Sequence, residues 1–215
     1  MIFHIITIFP ESFSSYLGES ILARAIKDKK IQVKFYNPRD FTKDGRVDYK
    51  PYGGGPGMVM KAEPVIQAVN KAIGRKLARR GGGKIKIIFL SPAGKLFDNA
   101  LARKFSKNYQ DIVIICGNYE GIDARVKKVF RAQEISIGDY VLTGGALPAM
   151  LLIDVIARQV KGVLHSEESL EENRVSCSEV YTRPEVIKYK NKNYKVPEVL
   201  LSGHHKKIEE WKQRK

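Results

Sequence analysis

The stretch Ser136-Ile137-Gly138-Asp139-Tyr140-Val141-Leu142-Thr143-Gly144-Gly145-Ala146 has the makings of a main-chain grip on a small polar ligand. Its three glycines allow positive φ and let a ligand come against the backbone, where N–H and C=O groups do the binding. The spacing is neither that of a phosphate-cradling P-loop nor that of a dinucleotide fingerprint. A glycine-rich turn ahead of a helix has the same composition, so the stretch gains meaning only beside others. Three more of similar character are present. Pro51-Tyr52-Gly53-Gly54-Gly55-Pro56-Gly57-Met58 is too rich in proline and glycine to read as a mere connector. Leu90-Ser91-Pro92-Ala93-Gly94 and Cys116-Gly117-Asn118-Tyr119-Glu120-Gly121-Ile122-Asp123 each end an apolar run.

Groups able to move protons or hold charge are sparser. Asp154 and Arg158 stand at the spacing of an ordinary helix ion pair. Residues 165–178 gather Glu167, Glu168, Glu171 and Glu172 without clear periodicity, and read as an acidic linker. His4, His165, His204 and His205 show no metal-ligand spacing, and the two cysteines, Cys116 and Cys177, form no CxxC pair. No metal site is read from the sequence. Cys116 sits in an apolar run as a buried thiol would, which suits a reducing, cytoplasmic setting.

The elements that must hold these loops alternate in type. Strand-like runs fall at 3–8, 31–36, 85–90, 112–116 and 132–135, with helical patterns at 20–27, 63–77, 98–107 and 122–130. Alternation of this kind predicts an α/β domain with a mainly parallel sheet. The runs 85–90 and 112–116 are apolar at nearly every position, as in strands covered on both faces. In such sheets ligands bind beyond the carboxyl ends of the strands, where three of the four glycine-bearing segments begin. After Pro148, a helix to Ala157 is apolar on almost all sides and belongs in a core or a subunit interface. The basic, glycine-bearing residues 74–83 read as a mobile surface loop, and residues 202–212 as a short helix with Ser202 at its N-cap.

Charge narrows the partners. Lys and Arg number 38 against 23 Asp and Glu, a net charge of +15, which calls for a polyanionic partner. No apolar run is long enough to span a bilayer, and the first residues lack the basic region of a signal peptide, so no membrane role is expected.

Read together and in order, the four segments closely resemble the bacterial tRNA (guanine-N1)-methyltransferase family, TrmD. The resemblance extends to Pro38-Arg39-Asp40-Phe41-Thr42, Tyr181-Thr182-Arg183-Pro184-Glu185 and Val199-Leu200-Leu201-Ser202-Gly203, and so covers nearly the whole chain. It implies a SPOUT-type α/β fold with a mainly parallel sheet, a trefoil knot near the carboxyl end of the catalytic domain and a short helical C-terminal extension. The corresponding divisions are residues 1–162 as methyltransferase domain, 163–178 as acidic linker and 179–215 as an abbreviated tRNA-binding domain. It implies a homodimer with active sites between subunits, S-adenosyl-L-methionine as methyl donor, magnesium (Mg2+) as an assisting ion, and guanine 37 beside the anticodon of tRNA as acceptor. Carried over position by position, donor contacts fall on Pro92, Gly117, Glu120, Ile137, Gly138, Asp139, Tyr140, Val141 and Leu142, with Gly144 and Gly145 beside them. The catalytic arginine falls on Arg158.

The chain departs from the family in two places that matter. The position aligned with the family's basic aspartate is Asn173, which cannot accept a proton as a base at neutral pH. Glu172, its neighbour, is the candidate base, with Glu171 as a further choice and a solvated acidic linker as the plain alternative. Asn118 stands where the family often has arginine. Two other functions stay open on these grounds: a SPOUT enzyme acting on another RNA position, such as a ribose hydroxyl that needs no N1 deprotonation, and a catalytically impaired RNA-binding homologue.

Overall fold

The alternating runs become alternating strands and helices. The computed structural model describes residues 1–79, 84–165 and 179–213, without the side chains of 75–79. These divide into two units, Met1–Leu164 and His165–Lys215. In chain order the first comprises β1 (Ile2–Ile6), α1 (Ser14–Leu17), α2 (Ser20–Lys27), β2 (Gln32–Tyr36), β3 (Asp48–Tyr49), β4 (Val59–Met60), α3 (Ala62–Arg79), β5 (Ile85–Leu96), α4 (Asn99–Asn108), β6 (Asp111–Ile115), α5 (Arg125–Phe130), β7 (Gln133–Ser136) and α6 (Ala146–Ala157).

Five strands form one sheet in the order β2-β1-β6-β5-β7, every neighbour parallel. Parallel neighbours need crossovers, and the crossing helices cover both faces. That is why β6 is buried at all five positions. Ile112, Ile114 and Cys116 pack with Phe105 of α4 and Leu152, Ile153 and Ile156 of α6, while Val113 and Ile115 pack with Val65, Ala68 and Val69 of α3 and Val126 of α5. Each fully buried isoleucine here contributes about 2 kcal/mol of hydrophobic stabilisation.

Polar groups inside this core are paired. On β1, His4 Nε2 lies 2.9 Å from Asp111 Oδ1 and its Nδ1 lies 3.1 Å from the Tyr36 hydroxyl. This network joins three adjacent strands, a structural role for a histidine whose spacing suggested no metal site. Asp98 caps α4 by accepting from the Leu101 amide at 2.6 Å.

Several boundaries differ from the sequence reading, each for a local reason. β5 runs on to Leu96, because Leu90 and Lys95 both stand opposite Ile135 and residues 91–94 loop outward between them. α3 reaches Arg79, but Gly74 breaks its helical geometry at φ 58°, ψ 153°. The expected loop over 74–83 is therefore helical through Arg79, and 80–83 lie outside the described residues. α5 begins at Arg125 rather than Ile122, since Asp123 accepts from the Arg125 amide at 2.9 Å and ends the preceding loop.

The second unit is not only helical. It holds a hairpin of β8 (Val186–Tyr189) and β9 (Lys192–Lys195), then α7 (Glu198–Leu201) and α8 (His205–Lys212). Ser202 turns the chain ahead of α8 by accepting from the His204 amide at 3.2 Å, and Tyr181 and Trp211 rings sit 6.1 Å apart. The acidic stretch 166–178 lies outside the described residues. Among the described residues no helix is long and apolar enough to cross a membrane.

Candidate active site

Because β5, β6 and β7 run parallel, their carboxyl ends open onto one edge of the sheet, and the segment following each reaches the same place. The outward loop of β5 brings Leu90, Ser91 and Pro92. The turn after β6 brings residues 117–121, and the end of β7 with the stretch after it brings 135–138 and 140–145. Together with Pro148 they line a cleft of about 270 Å3. Its floor is apolar, from Leu90, Ile135, Ile137 and Pro148, and its rim offers Ser91, Asn118, Glu120 and Thr143.

Glycines make the close approaches. The Gly145 amide donates to the Gly117 carbonyl at 2.7 Å, and a Cβ on Gly145 would stand 2.7 Å from Cys116 Cα. A Cβ on Gly94 would stand 2.5 Å from the Ile135 nitrogen. Only a residue without a side chain lets these segments lie backbone on backbone. The last loop also folds on itself. Ser136 Oγ donates to the Gly138 carbonyl at 2.9 Å and accepts from the Gly138 amide at 3.2 Å, and the Tyr140 hydroxyl donates to the Ile137 carbonyl at 3.2 Å. The Tyr140 ring lies where a Gly138 side chain would be.

The fourth glycine segment joins the same edge through hydrogen bonds. The Glu120 amide donates to Met58 O at 2.9 Å, the Met60 amide to Gly121 O at 2.9 Å and the Asp123 amide to Met60 O at 3.0 Å. Gly57, at φ 74°, sits so close that a Cβ would meet Glu120 Cγ at 2.6 Å. Tyr119 takes the left-handed region at φ 59°, a strained setting for a side-chain-bearing residue beside a ligand cleft. Below this corner, hydrogen bonds from Arg125 hold the Asp123 carboxyl below the usual carboxylate range, with Nε–Oδ1 at 2.9 Å and Nη2–Oδ2 at 2.7 Å.

Ten of the eleven donor positions expected from sequence line this cleft: Pro92, Gly117, Glu120, Ile137, Gly138, Tyr140, Val141, Leu142, Gly144 and Gly145. Asp139 is exposed and does not line it. Tyr119, read from sequence with Tyr140 as an aromatic of the pocket, and Asn118 line it too, whereas Ser91, Ser136 and Thr143 line it without having been singled out, although each lies within a quoted segment. Alternation along a sharply turning loop carries no periodic signal, so side-chain direction there is not legible from sequence.

Of the expected catalytic residues, only Arg158 lies among the described residues, and it does not line the cleft. Arg158 caps the far end of α6, twelve residues beyond Ala146, or about 18 Å along the helix. Glu172 and Asn173 lie outside the described residues. Asp154 Oδ2 accepts a hydrogen bond from the Tyr16 hydroxyl of α1. No group of three or more His, Cys, Asp and Glu stands together among the described residues.

With this geometry in place, the comparisons with known proteins are specific. The family model for tRNA (Guanine-1)-methyltransferase TrmD matches residues 1–215. The chain is 45% identical over 218 residues to a tRNA (guanine-N(1)-)-methyltransferase of Clostridioides difficile strain 630, covering 99% of this chain and 90% of that protein. It is 46% identical over 224 residues to the protein of that name from Caldanaerobacter subterraneus subsp. tengcongensis, covering all of this chain and 86% of the relative. Its structure matches the crystal structure of tRNA (m1G37) methyltransferase from Aquifex aeolicus with a TM-score of 0.78 at 40% identity, covering 99% of this chain and 88% of that one.

Proposed function

The chain belongs to the TrmD family of tRNA (guanine-1)-methyltransferases, and we propose that it moves the methyl group of S-adenosylmethionine to N1 of guanine 37 in tRNA. The observation that carries this reading is the cleft beyond the carboxyl ends of β5, β6 and β7, walled by glycine-bearing backbone. The cleft suits the donor chemically. Leu90, Ile135, Ile137 and Pro148 offer an apolar bed for adenine, and Ser91, Asn118 and Thr143 offer hydrogen bonds to polar edges. Among the described residues Glu120 supplies the one carboxylate on the rim, a match for a donor whose sulfonium and ammonium outweigh its single carboxylate. Bound there, S-adenosylmethionine presents an electrophilic methyl that needs placement rather than activation.

The protein's task is then the acceptor. Guanine N1 carries a proton at neutral pH and becomes a nucleophile only as that proton leaves. A carboxylate, Glu172 in our reading, takes it. Charge builds on O6 as it does so, and the guanidinium of Arg158 stabilises that charge. Asn173 beside the base can orient the guanine but not deprotonate it. No protein ligands are assigned to magnesium, and no step is routed through it.

Arg158 and the cleft-lining Pro148 lie toward opposite ends of α6, about 15 Å apart along the helix. This separation supports an active site shared by two copies of the chain, one supplying the cleft and the other the arginine. The exposed Val141 of the cleft wall and Leu147, next to Pro148, are 81% and 56% open and are apolar surface for such a second copy. Residues 1–162 then act as the methyltransferase domain and 179–215 as the tRNA-binding part, joined through 163–178. Acting on tRNA, the enzyme works in the cytoplasm.

The test is methyl transfer from labelled S-adenosylmethionine to an unmodified tRNA transcript, with Glu172→Gln and Asn173→Ala in parallel. N1-methylguanine at position 37, lost in Glu172→Gln and kept in Asn173→Ala, is the expected result. Donor binding without transfer by the unaltered chain would instead favour the RNA-binding homologue.

A further inference from the structure

The hairpin of β8 and β9 is basic, aromatic and exposed at all eight strand positions. It contains Lys188, Lys190, Lys192 and Lys195 and no acidic residue. Its register pairs Ile187 with Tyr194 and Tyr189 with Lys192. Residues opposite one another in an antiparallel pair share a face, so these four project together. Ile187, Tyr189 and Tyr194 are 57%, 61% and 51% exposed. Each tyrosine is accompanied by a cation. Lys190 Nζ lies 5.5 Å from the Tyr189 ring centroid and Lys192 Nζ 5.7 Å from that of Tyr194.

Lysines on a two-stranded edge are an ordinary defence against strand addition. That explains the charge and leaves the aromatic strip unexplained, because exposed isoleucine and tyrosine on one face invite the contacts that lysines deter. A flat apolar strip with ammonium groups over its rings matches a ligand that has planar π-faces and regularly spaced anions. Unpaired RNA has both, whereas a duplex buries its base faces. The chain's net charge of +15 is complementary to the same partner.

We propose that this hairpin face is a stacking platform for unpaired nucleotides of the RNA substrate. Tyr189 and Tyr194 take base faces, while Lys192 on the same face and Lys190 in the turn meet the flanking phosphates. The inference rests on the tRNA reading above, since a loop of tRNA is the source of those bases.

The experiment uses the full chain and an unmodified tRNA transcript. Dissociation constants are measured for Tyr189→Ala, Tyr194→Ala, Tyr189→Phe and Lys190→Ala, with methyl transfer by the unaltered chain alongside. Each alanine variant at tyrosine should weaken tRNA binding about tenfold, and Tyr189→Phe should recover most of the loss, because stacking needs the ring and not the hydroxyl. Lys190→Ala should lower the slope of log affinity against log salt by about one, while the tyrosine variants leave that slope unchanged. Unaltered affinity in both alanine variants overturns the platform. So does a loss that phenylalanine fails to recover, or a change in oligomeric state without a change in tRNA affinity, which would assign the face to a second copy of the chain. If the hairpin variants bind normally while the unaltered chain methylates tRNA, the platform fails and the enzymatic reading stands. If binding depends on the tyrosines but no methyl is transferred, the platform stands and the enzymatic reading fails.

Discussion

The Gly145 amide donates to the Gly117 carbonyl at 2.7 Å, locking the loop after β7 onto the end of β6. This single bond joins two of the walls of the cleft. It forms only because no side chain separates the two backbones, since a Cβ at position 145 would lie 2.7 Å from Cys116 Cα and 2.8 Å from the Gly117 nitrogen. Neither neighbour is a flexible side-chain end, so the backbone itself must move.

Gly145→Ala is therefore expected to lower stability by about 1–3 kcal/mol, the usual range for overpacking a close contact. The melting temperature should fall by roughly 3–10 °C for a chain of this size. Donor affinity should fall as well, because the walls separate where the ligand is held. Calorimetric melting and titration with S-adenosylmethionine measure the two effects. A variant that melts and binds like the unaltered chain would show that the contact has no structural weight.

The same cleft shows what sequence could and could not reveal. Continuous apolar runs at 85–90 and 112–116 identified buried parallel strands because both faces are covered, and the glycine segments stood out because their composition suits no regular element. The order β2-β1-β6-β5-β7 was not legible, since which strands pair depends on contacts between residues far apart in the chain. The hairpin of β8 and β9 escaped detection for a different reason. Ile187, Tyr189, Lys192 and Tyr194 stand on one face and Val186, Lys188, Asn193 and Lys195 on the other, all exposed and each face mixing apolar or aromatic residues with lysine, so no apolar periodicity marks it. Arg158 was readable as a residue and not as a location. Only the helix length places it away from the cleft.

Cys116 should be chemically silent. It is 1% exposed, and burial pushes its thiol far above the ordinary range. The thiolate is the reactive form, so alkylation requires opening of the core that encloses it. Iodoacetamide treatment at neutral pH followed by peptide mass mapping should leave Cys116 unmodified in the native protein and modify it fully in denaturant. Rapid native labelling at this position would contradict the packing of β6 against α6.

Alkaline pH should weaken the fold through two phenols. Tyr16 is held above its ordinary value chiefly by its hydrogen bond to Asp154, and Tyr36 chiefly by burial and then by the charge of Asp111. A group whose folded pKa is raised binds its proton more tightly in the native state. Its contribution is therefore complete below the ordinary tyrosine value of 10.0 and is lost as pH rises through the folded value. Lys86 works the other way, because burial holds its ammonium below the ordinary lysine value and rising pH favours the folded form. Melting temperatures measured from pH 9 upward should fall less steeply in Tyr16→Phe and Tyr36→Phe than in the unaltered chain. Parallel curves for all three would remove both phenols from the account.

The position of Arg158 makes the sharpest prediction about assembly. Arg158→Ala alone should lower kcat by about two to three orders of magnitude, the usual loss when a donor to developing charge is removed, with donor affinity unchanged. Gly144→Leu should instead block the cleft, because a side chain there meets Asn118 Oδ1 at 2.7 Å. If each site takes its cleft from one copy and its arginine from the other, mixing the two inactive variants creates dimers with one intact site and one doubly defective site. Random exchange then restores about a quarter of the unaltered activity, from half the dimers carrying one working site each. If Arg158 served the cleft of its own chain, every site in the mixture would keep one defect and no activity would return. Recovery on mixing, scored against each variant alone after confirming by calorimetry that both fold, decides between these arrangements.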